Sequence, residues 1–557
     1  MIVVAVALAI AAFLAVFLAA PVASVFHAAF STSAGGFTLA HFGSFLQISL
    51  MREAFWNSLY VAGLSVLFAS LIAVPLAYFT VRYRFRGALL IQTLGVLPLI
   101  MPPFVGAVAM QLLFGRSGSV NLLLNDTFGF GVPFMAGLNG VIFVESLHYF
   151  PFILLNLVVS LRHIDGAMEE SAQNLGASGW RLFRRIVFPL ALPGYVAGAS
   201  LVFVKVFDDL GTPLVLGTTN MLAPQAYLRI TSVGVEDPIG YVIGVVMVVF
   251  SVAALWASAR FLKGRDFATL QRGGAALQRR ELTAGQQVAA YAWVGLVLLL
   301  VLSPHIGILL MSFSRVWSFS VLPEGFTLAH YATVFAQSKG QILNTLVYCG
   351  AAALIDVVLG AAIAYIILRT RLPGRQLLDL AASSALAIPG VVLAIGYLRA
   401  FRGLELPVLQ TTFTASALAL VMAYAVRRLP YALRSCMAVL AQLHVSLEEA
   451  AENLGASKAR TVQRIVVPLM AGGLLAGFVT SFITAAVELS ATIVLSASAS
   501  TAPMSYGIYL YMQSIAGRGP GAALGVLAVV IVGLGTYASH WLLERRSAGA
   551  PAVRPIA

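Results

Sequence analysis

Glu170–Pro189 reads ESAQNLGASGWRLFRRIVFP, and 279 residues further on Glu449–Pro468 reads EAAENLGASKARTVQRIVVP. The block NLGAS is identical in both, at Asn174–Ser178 and Asn453–Ser457. Each copy is a polar island in an apolar chain. The offset is about half the chain length, so whatever one copy does is done once per half.

Hydrophobic residues make up 60% of the 557 and charged residues 10%, and the mean hydropathy is +0.93. A soluble domain carries about a quarter charged residues. Apolar runs long enough to cross a hydrocarbon core of about 30 Å recur along the chain, without the short alternating segments of a membrane β-barrel. The reading is an all-α polytopic membrane protein. The net charge of +13 collects in alternate short loops, which is topology rather than nucleic-acid binding. Cys349 and Cys436 are far apart in apolar segments and read as small buried hydrophobes.

Residues 1–26 lack a basic leader and a cleavage site, and are expected to form a retained first span. Five more spans fit the first half, at 55–81, 89–115, 138–161, 194–217 and 239–262. The second half repeats them at 288–314, 341–368, 377–399, 412–435, 471–496 and 519–543. The expected organisation is a first transmembrane half over 1–262, a polar linker over 263–287, a second half over 288–546 and a tail over 547–557. The basic loop Arg82–Gly87 and both polar islands are assigned to the cytoplasm, with both termini on that side. GFTLAH at Gly36–His41 recurs at Gly325–His330, Asn57 matches Asn344, and Tyr78 with Gly87 matches Tyr365 with Gly374. Beyond Pro102 and Pro389 the offset drops from 287 to 279, where Pro151 matches Pro430. With about 12 spans, six per half, the halves are parallel repeats about an axis along the membrane normal.

In each island Glu170 or Glu449 opens a short helix, Gly176 or Gly455 breaks it, and a basic amphipathic turn follows. Arg181 and Arg185 match Arg460 and Arg464. Pro189 and Pro468 are expected to stop that turn before the next span. Small residues (Ala172 and Ala177; Ala450, Ala451 and Ala456) allow another backbone to approach. One copy would pass for an ordinary interfacial helix; two at one offset favour docking.

These residues resemble the EAA loop of permease subunits in binding-protein-dependent ABC importers: Glu-Ala-Ala, three residues, Gly, nine residues, then Ile-x-Leu-Pro. The second copy has Glu449, Ala450, Ala451, Gly455, Ile465 and Pro468, with Val467 in the leucine place. The first has Glu170, Ala172, Gly176, Ile186 and Pro189, with Ser171 and Phe188 departing from the pattern. The resemblance implies that each loop sits in a cleft of an ATPase subunit, so one fused chain serves two copies of a cytoplasmic ABC ATPase. It places the chain in a bacterial inner membrane and implies a periplasmic substrate-binding protein. No Walker A motif occurs, so ATP and magnesium are expected on the partner. No catalytic residue, metal site or cofactor is assigned to this chain, which is expected to be a transport subunit rather than an enzyme.

Lys205, Asp208 and Asp209 fall within the fifth span, with both aspartates on the lysine's helix face. Charge at bilayer depth costs about 2.5–3.5 kcal/mol per residue. Either these groups neutralise one another structurally or they line a translocation path. Asp209 matches Glu488 in the eleventh span, where no lysine has a counterpart and the available partners are Ser490, Thr492 or another helix. A carboxylate on each side of the pseudo-twofold axis favours the path. Gly194/Gly198 and Gly473/Gly477 read as close helix packing. Glu145 and His148 lie in the fourth span, in a region where the second half has Arg427 and Arg428, and they read as interface or loop contacts rather than a metal site. His163, His305 and His444 stand alone.

The fused chain, with FDDLGTPLVLG at Phe207–Gly217 and the pairs Ala223-Pro224/Ala502-Pro503 and Tyr227/Tyr506, resembles the ferric-iron permease group. That resemblance implies ferric iron as substrate. Related fused permeases carry 2-aminoethylphosphonate or thiamine. An ion-gradient-driven transporter with two six-span halves is the alternative from another class, with Asp208, Asp209 and Glu488 as ion sites.

Overall fold

The computed structural model describes residues 2–32, 34–84, 87–263 and 280–548. The central part of the expected linker, 264–279, and the end of the tail, 549–557, lie outside the described residues. Helices dominate, joined by two sheets of two-residue strands. In one, Tyr83–Arg84 pairs in parallel with Arg280–Glu281, just ahead of the helix that opens the second half. That helix, Ala284–Phe313, begins in a capping box made by Thr283 and Gln286. Among the described residues nine helices are long and apolar enough to span a membrane, or eleven if each of two bent pairs is one span. Ala417–Leu440 is not among them; it carries Arg427, Arg428 and Arg434.

Two kinds of expected span are broken rather than straight. In the first half the helix over 88–100 ends at Met101, and a new one starts at Pro103. Met101 and Pro102 are extended, with ψ 139° and 136°. The second half does the same at Ile388 and Pro389, where Arg375–Ala387 and Gly390–Ala400 meet at 108°. Proline lacks the N–H that would continue the ladder and pushes the preceding residue out of the helical region. The expected spans 89–115 and 377–399 are therefore each two helices.

The expected spans 194–217 and 471–496 also fail as single helices. Phe188–Asp208 stops at an extended Asp209, and a short helix Gly211–Val215 follows. Ala471–Ala486 stops likewise before Ser490–Leu495. Asp209 Oδ2 accepts from the Thr212 amide at 2.8 Å. Glu488 occupies the matching place and accepts from the Ala491 amide at 3.1 Å. Each carboxylate thus ends one helix and starts the next, taking up amides that would otherwise be orphaned.

Within each half three helices form a tight bundle: Ser49–Arg82, Gly137–Arg162 and Phe188–Asp208 in the first; Lys339–Arg369, Ala417–Leu440 and Ala471–Ala486 in the second. The first helix of each half crosses to the other half. Ile2–Phe30 lies on Gly390–Ala400: Tyr397 donates to the Phe17 carbonyl at 2.9 Å and Ser24 to that of Gly396 at 3.2 Å. Ala284–Phe313 lies on Pro103–Phe114, with Ser303 donating to Met110 Sδ at 3.3 Å. One apolar core runs across both halves; the other joins the second half to Ala7, Ile10, Leu14 and Leu18 of the first helix.

Candidate functional site

The two polar islands fold alike. Gly166–Asn174 is capped by Asp165, whose Oδ1 accepts from the Ala167 amide at 3.0 Å. At the far end the Ala177 amide reaches the Ala172 carbonyl at 2.9 Å, and the Gly176 amide that of Gln173 at 2.8 Å. In the second copy Ala456 reaches Ala451 at 3.0 Å and Gly455 reaches Glu452 at 2.9 Å. These paired bonds are a Schellman ending, which needs a left-handed residue after the cap. Gly176 and Gly455 supply it, at φ +84° and +86°. Ala172 and Ala451 are buried beneath the turn, while Leu175 and Leu454 just before the glycine are 87% and 90% exposed. Glu170, Glu449, Ala450, Gly176, Gly455 and the arginines 181, 185, 460 and 464 are exposed.

Pro189 does not stop the second helix, contrary to expectation: the helix is continuous over Gly179–Asp208. One wide turn, Phe183–Val187, takes up the missing donor, with Phe188 bonding back to Phe183. A π-turn of this kind relieves the proline by adding a residue to the turn before it. Val462–Val466 makes the same turn before Pro468, and there the helix breaks two residues later, bending 68° into Ala471–Ala486. Ile186 and Ile465 sit half-buried within these turns.

The acidic residue that turns inward in each loop is the one before the motif glutamate. Arg82 Nη2 lies 2.5 Å from Glu169 Oε1, and Arg369 Nε lies 2.6 Å from Glu448 Oε1. The two pairs are equivalent in the repeat, and each joins the last residue of a long helix to the first turn of its loop helix. Arg369 Nη2 also donates to the carbonyls of Leu440 and Leu443 at 3.0 and 2.7 Å, and Tyr365 donates to Glu448 Oε2 at 3.2 Å. Arginine at a helix C-terminus and glutamate at an N-terminus each suit their helix dipole. The adjacent acidic pairs Glu169-Glu170 and Glu448-Glu449 were the available signal, but sequence does not say which member turns inward.

The four helix breaks meet on the seam between halves. A Cβ on Gly211 would lie 2.9 Å from Leu489 and 3.0 Å from Phe104, and one on Gly390 would lie 2.8 Å from Glu488 Oε1. At this point Arg427 Nη2 holds Asp208 Oδ2 at 2.7 Å and Arg427 Nη1 holds Glu488 Oε1 at 2.6 Å. Asp208 Oδ1 accepts from the Gly390 amide at 2.8 Å. Asp208 belongs to the first half; Arg427, Gly390 and Glu488 belong to the second. All three charged side chains are buried, and removing one partner of a buried pair costs about 3–5 kcal/mol.

Lys205 lies beside the Tyr431 hydroxyl, while Arg427 takes Asp208 and is the centre of the cluster. Arg427 stands at the position matching His148, which with His305, Met101 and Met110 lines a small internal cavity. Asp209 stays on its own side of the seam, close to buried Glu145 and Thr212. Sequence alignment of the halves put Arg427 opposite a histidine; only the fold brings it across to Asp208. Among the described residues no group of three His, Cys, Asp or Glu side chains is placed to hold a metal ion.

A family model described as binding-protein-dependent transport system inner membrane component matches the chain twice, over residues 65–265 and 356–549. The chain is 28% identical over 457 residues to the putative ferric transport system permease protein FbpB 1 of Haemophilus influenzae, covering 81% of this chain and 71% of that protein. It is 28% identical over 446 residues to the ferric transport system permease protein FbpB of Actinobacillus pleuropneumoniae, covering 79% of this chain and 64% of that one. The molybdenum transport system permease protein ModB of Escherichia coli K12 is 30% identical over 190 residues, 33% of this chain and 82% of its own length.

Proposed function

The chain belongs to the family of binding-protein-dependent transport system inner membrane components and carries the family's domain twice, and from that premise we propose that it is the whole membrane pore of an ABC importer for ferric iron. The observation that carries the importer reading is the doubled loop: one backbone geometry, presented once by each half, with the same leucine exposed beside the same glycine. Two such loops fit two copies of an ATPase, which supplies ATP hydrolysis; cargo arrives from a separate periplasmic binding protein. The site residues Glu170, Ala172, Gly176, Ile186 and Pro189, with Glu449, Ala450, Ala451, Gly455, Ile465 and Pro468, form the two docking elements.

In this reading closure of the ATPase pair draws the loops together, and the halves move about their seam. Asp208, Arg427 and Glu488 close the central path in the present conformation, because their bonds cross that seam. They must part, or exchange partners, for cargo to pass. Lys205 and Asp209 flank the cluster as further polar lining. An ion-driven transporter would give no reason for a pair of matching cytoplasmic loops.

Iron is favoured because two proteins similar over about four-fifths of the chain are named for ferric transport, whereas the molybdenum permease matches a third of it. The test is uptake of labelled ferric iron, molybdate, 2-aminoethylphosphonate and thiamine by a strain lacking this protein, with and without the gene restored. Restoration of iron uptake alone is the expected result. Restoration of another substrate alone would overturn iron and keep the pore, and co-purification without any ATPase would overturn the importer.

A further inference from the structure

The loops must be gripped by the rest of the protein if their movement is to do anything. Each loop helix is short, nine residues in one half and eight in the other, and its outer face is exposed. Its inward anchor is the arginine that ends a long helix, Arg82 in Ser49–Arg82 and Arg369 in Lys339–Arg369. The same ion pair occurs at the same place in both halves although the neighbouring residues differ. Both pairs are largely screened from water, with side-chain exposures of 3% and 10% in the first and 8% and 12% in the second.

Resting on the importer reading above, we propose that Arg82 with Glu169, and Arg369 with Glu448, are positioning pairs that transmit movement of the docked loops to the two long helices. The geometry is that of a tie. The glutamate sits in the first turn of the loop helix, so a pull on the loop loads the pair directly. In the second half Arg369 also holds the carbonyls of Leu440, the last residue of Ala417–Leu440, and of Leu443. One guanidinium therefore ties the loop helix to two helices of the bundle, one of which carries Arg427. In the second half the loop and the central cluster are thus linked through one helix, Ala417–Leu440.

The experiment uses the full chain with its ATPase in lipid vesicles. Spin labels at Trp56 and Leu343, exposed and equivalent positions near the far ends of the two long helices, report their separation; the native Cys349 and Cys436 are buried. The variants are Glu169→Gln with Glu448→Gln, and the charge exchange Arg82→Glu/Glu169→Arg with Arg369→Glu/Glu448→Arg. The wild type should change label separation when ATP is trapped on the ATPase. The glutamine variant should keep its ATPase and its basal hydrolysis, while about tenfold fewer molecules complete the change. The exchanged variant should recover most of it. A glutamine variant that switches like the wild type would overturn the tie. So would loss of switching in step with loss of bound ATPase, which would make the pair a determinant of folding. A wild type that binds no ATPase would instead overturn the importer reading.

Discussion

Gly176 and Gly455 have open space where a side chain would stand, and what they supply is backbone freedom at φ +84° and +86°. Alanine there should cost about 1 kcal/mol of local stability per site and leave the protein inserted and intact. Gly390 is the opposite case. Its backbone is unexceptional, but an added Cβ would press on Arg427 Nη1 and lie 2.8 Å from Glu488 Oε1. Gly390→Ala should therefore break the bridge from Arg427 Nη1 to Glu488 and cost several-fold more than Gly176→Ala, about 3–5 kcal/mol if one buried partner is lost. Thermal unfolding in detergent checks the order; equal midpoints for the two variants would contradict the crowded seam. The first glycine is legible in sequence as a helix stop. The second is not, because what crowds it comes from 37 and 98 residues away along the chain.

Helices in this protein pack where side chains are missing. A Cβ on Gly198 would lie 2.6 Å from Ile153 Cα and 2.7 Å from the Phe152 carbonyl, and one on Gly477 would lie 3.1 Å from Ala432 Cα. Phe188–Asp208 thus lies against the backbone of Gly137–Arg162, and its counterpart does the same in the other half, as the GxxxG spacing predicts. Gly198→Leu should separate that pair and sharply lower the yield of folded protein, whereas leucine at Gly63, which has open space around it, should not. Size-exclusion profiles of the two purified variants decide it. Element type was readable from hydropathy, but continuity was not. Pro102 and Pro389 were visible as repeat markers, yet whether a proline breaks a helix depends on what receives the freed groups. Pro189 and Pro193 stay inside the helix, while Pro102 and Pro389 end one.

The whole molecule is two halves that each lend their first helix to the other. Ile2–Phe30 is packed on Gly390–Ala400, and Ala284–Phe313 on Pro103–Phe114. A chain cut between residues 270 and 271 should therefore reassemble when both pieces are made together, and neither piece should be stable alone. Purification through a tag on one piece checks this; recovery of either half by itself as a stable monodisperse species would contradict the exchange. By itself the sequence determined the class, the repeat and the doubled loop, because hydropathy, charge and a repeated motif are local properties that survive without contacts. It also marked Asp208, Asp209 and Glu488 as costly enough to need partners. Only the tertiary structure decided which partners those are. The repeat relates residues at equal places in two halves, but the contacts that matter join unequal places across the seam: Asp208 to Arg427 and Phe17 to Tyr397. Those pairings arise from the approach of one half to the other, and no spacing within either half encodes it.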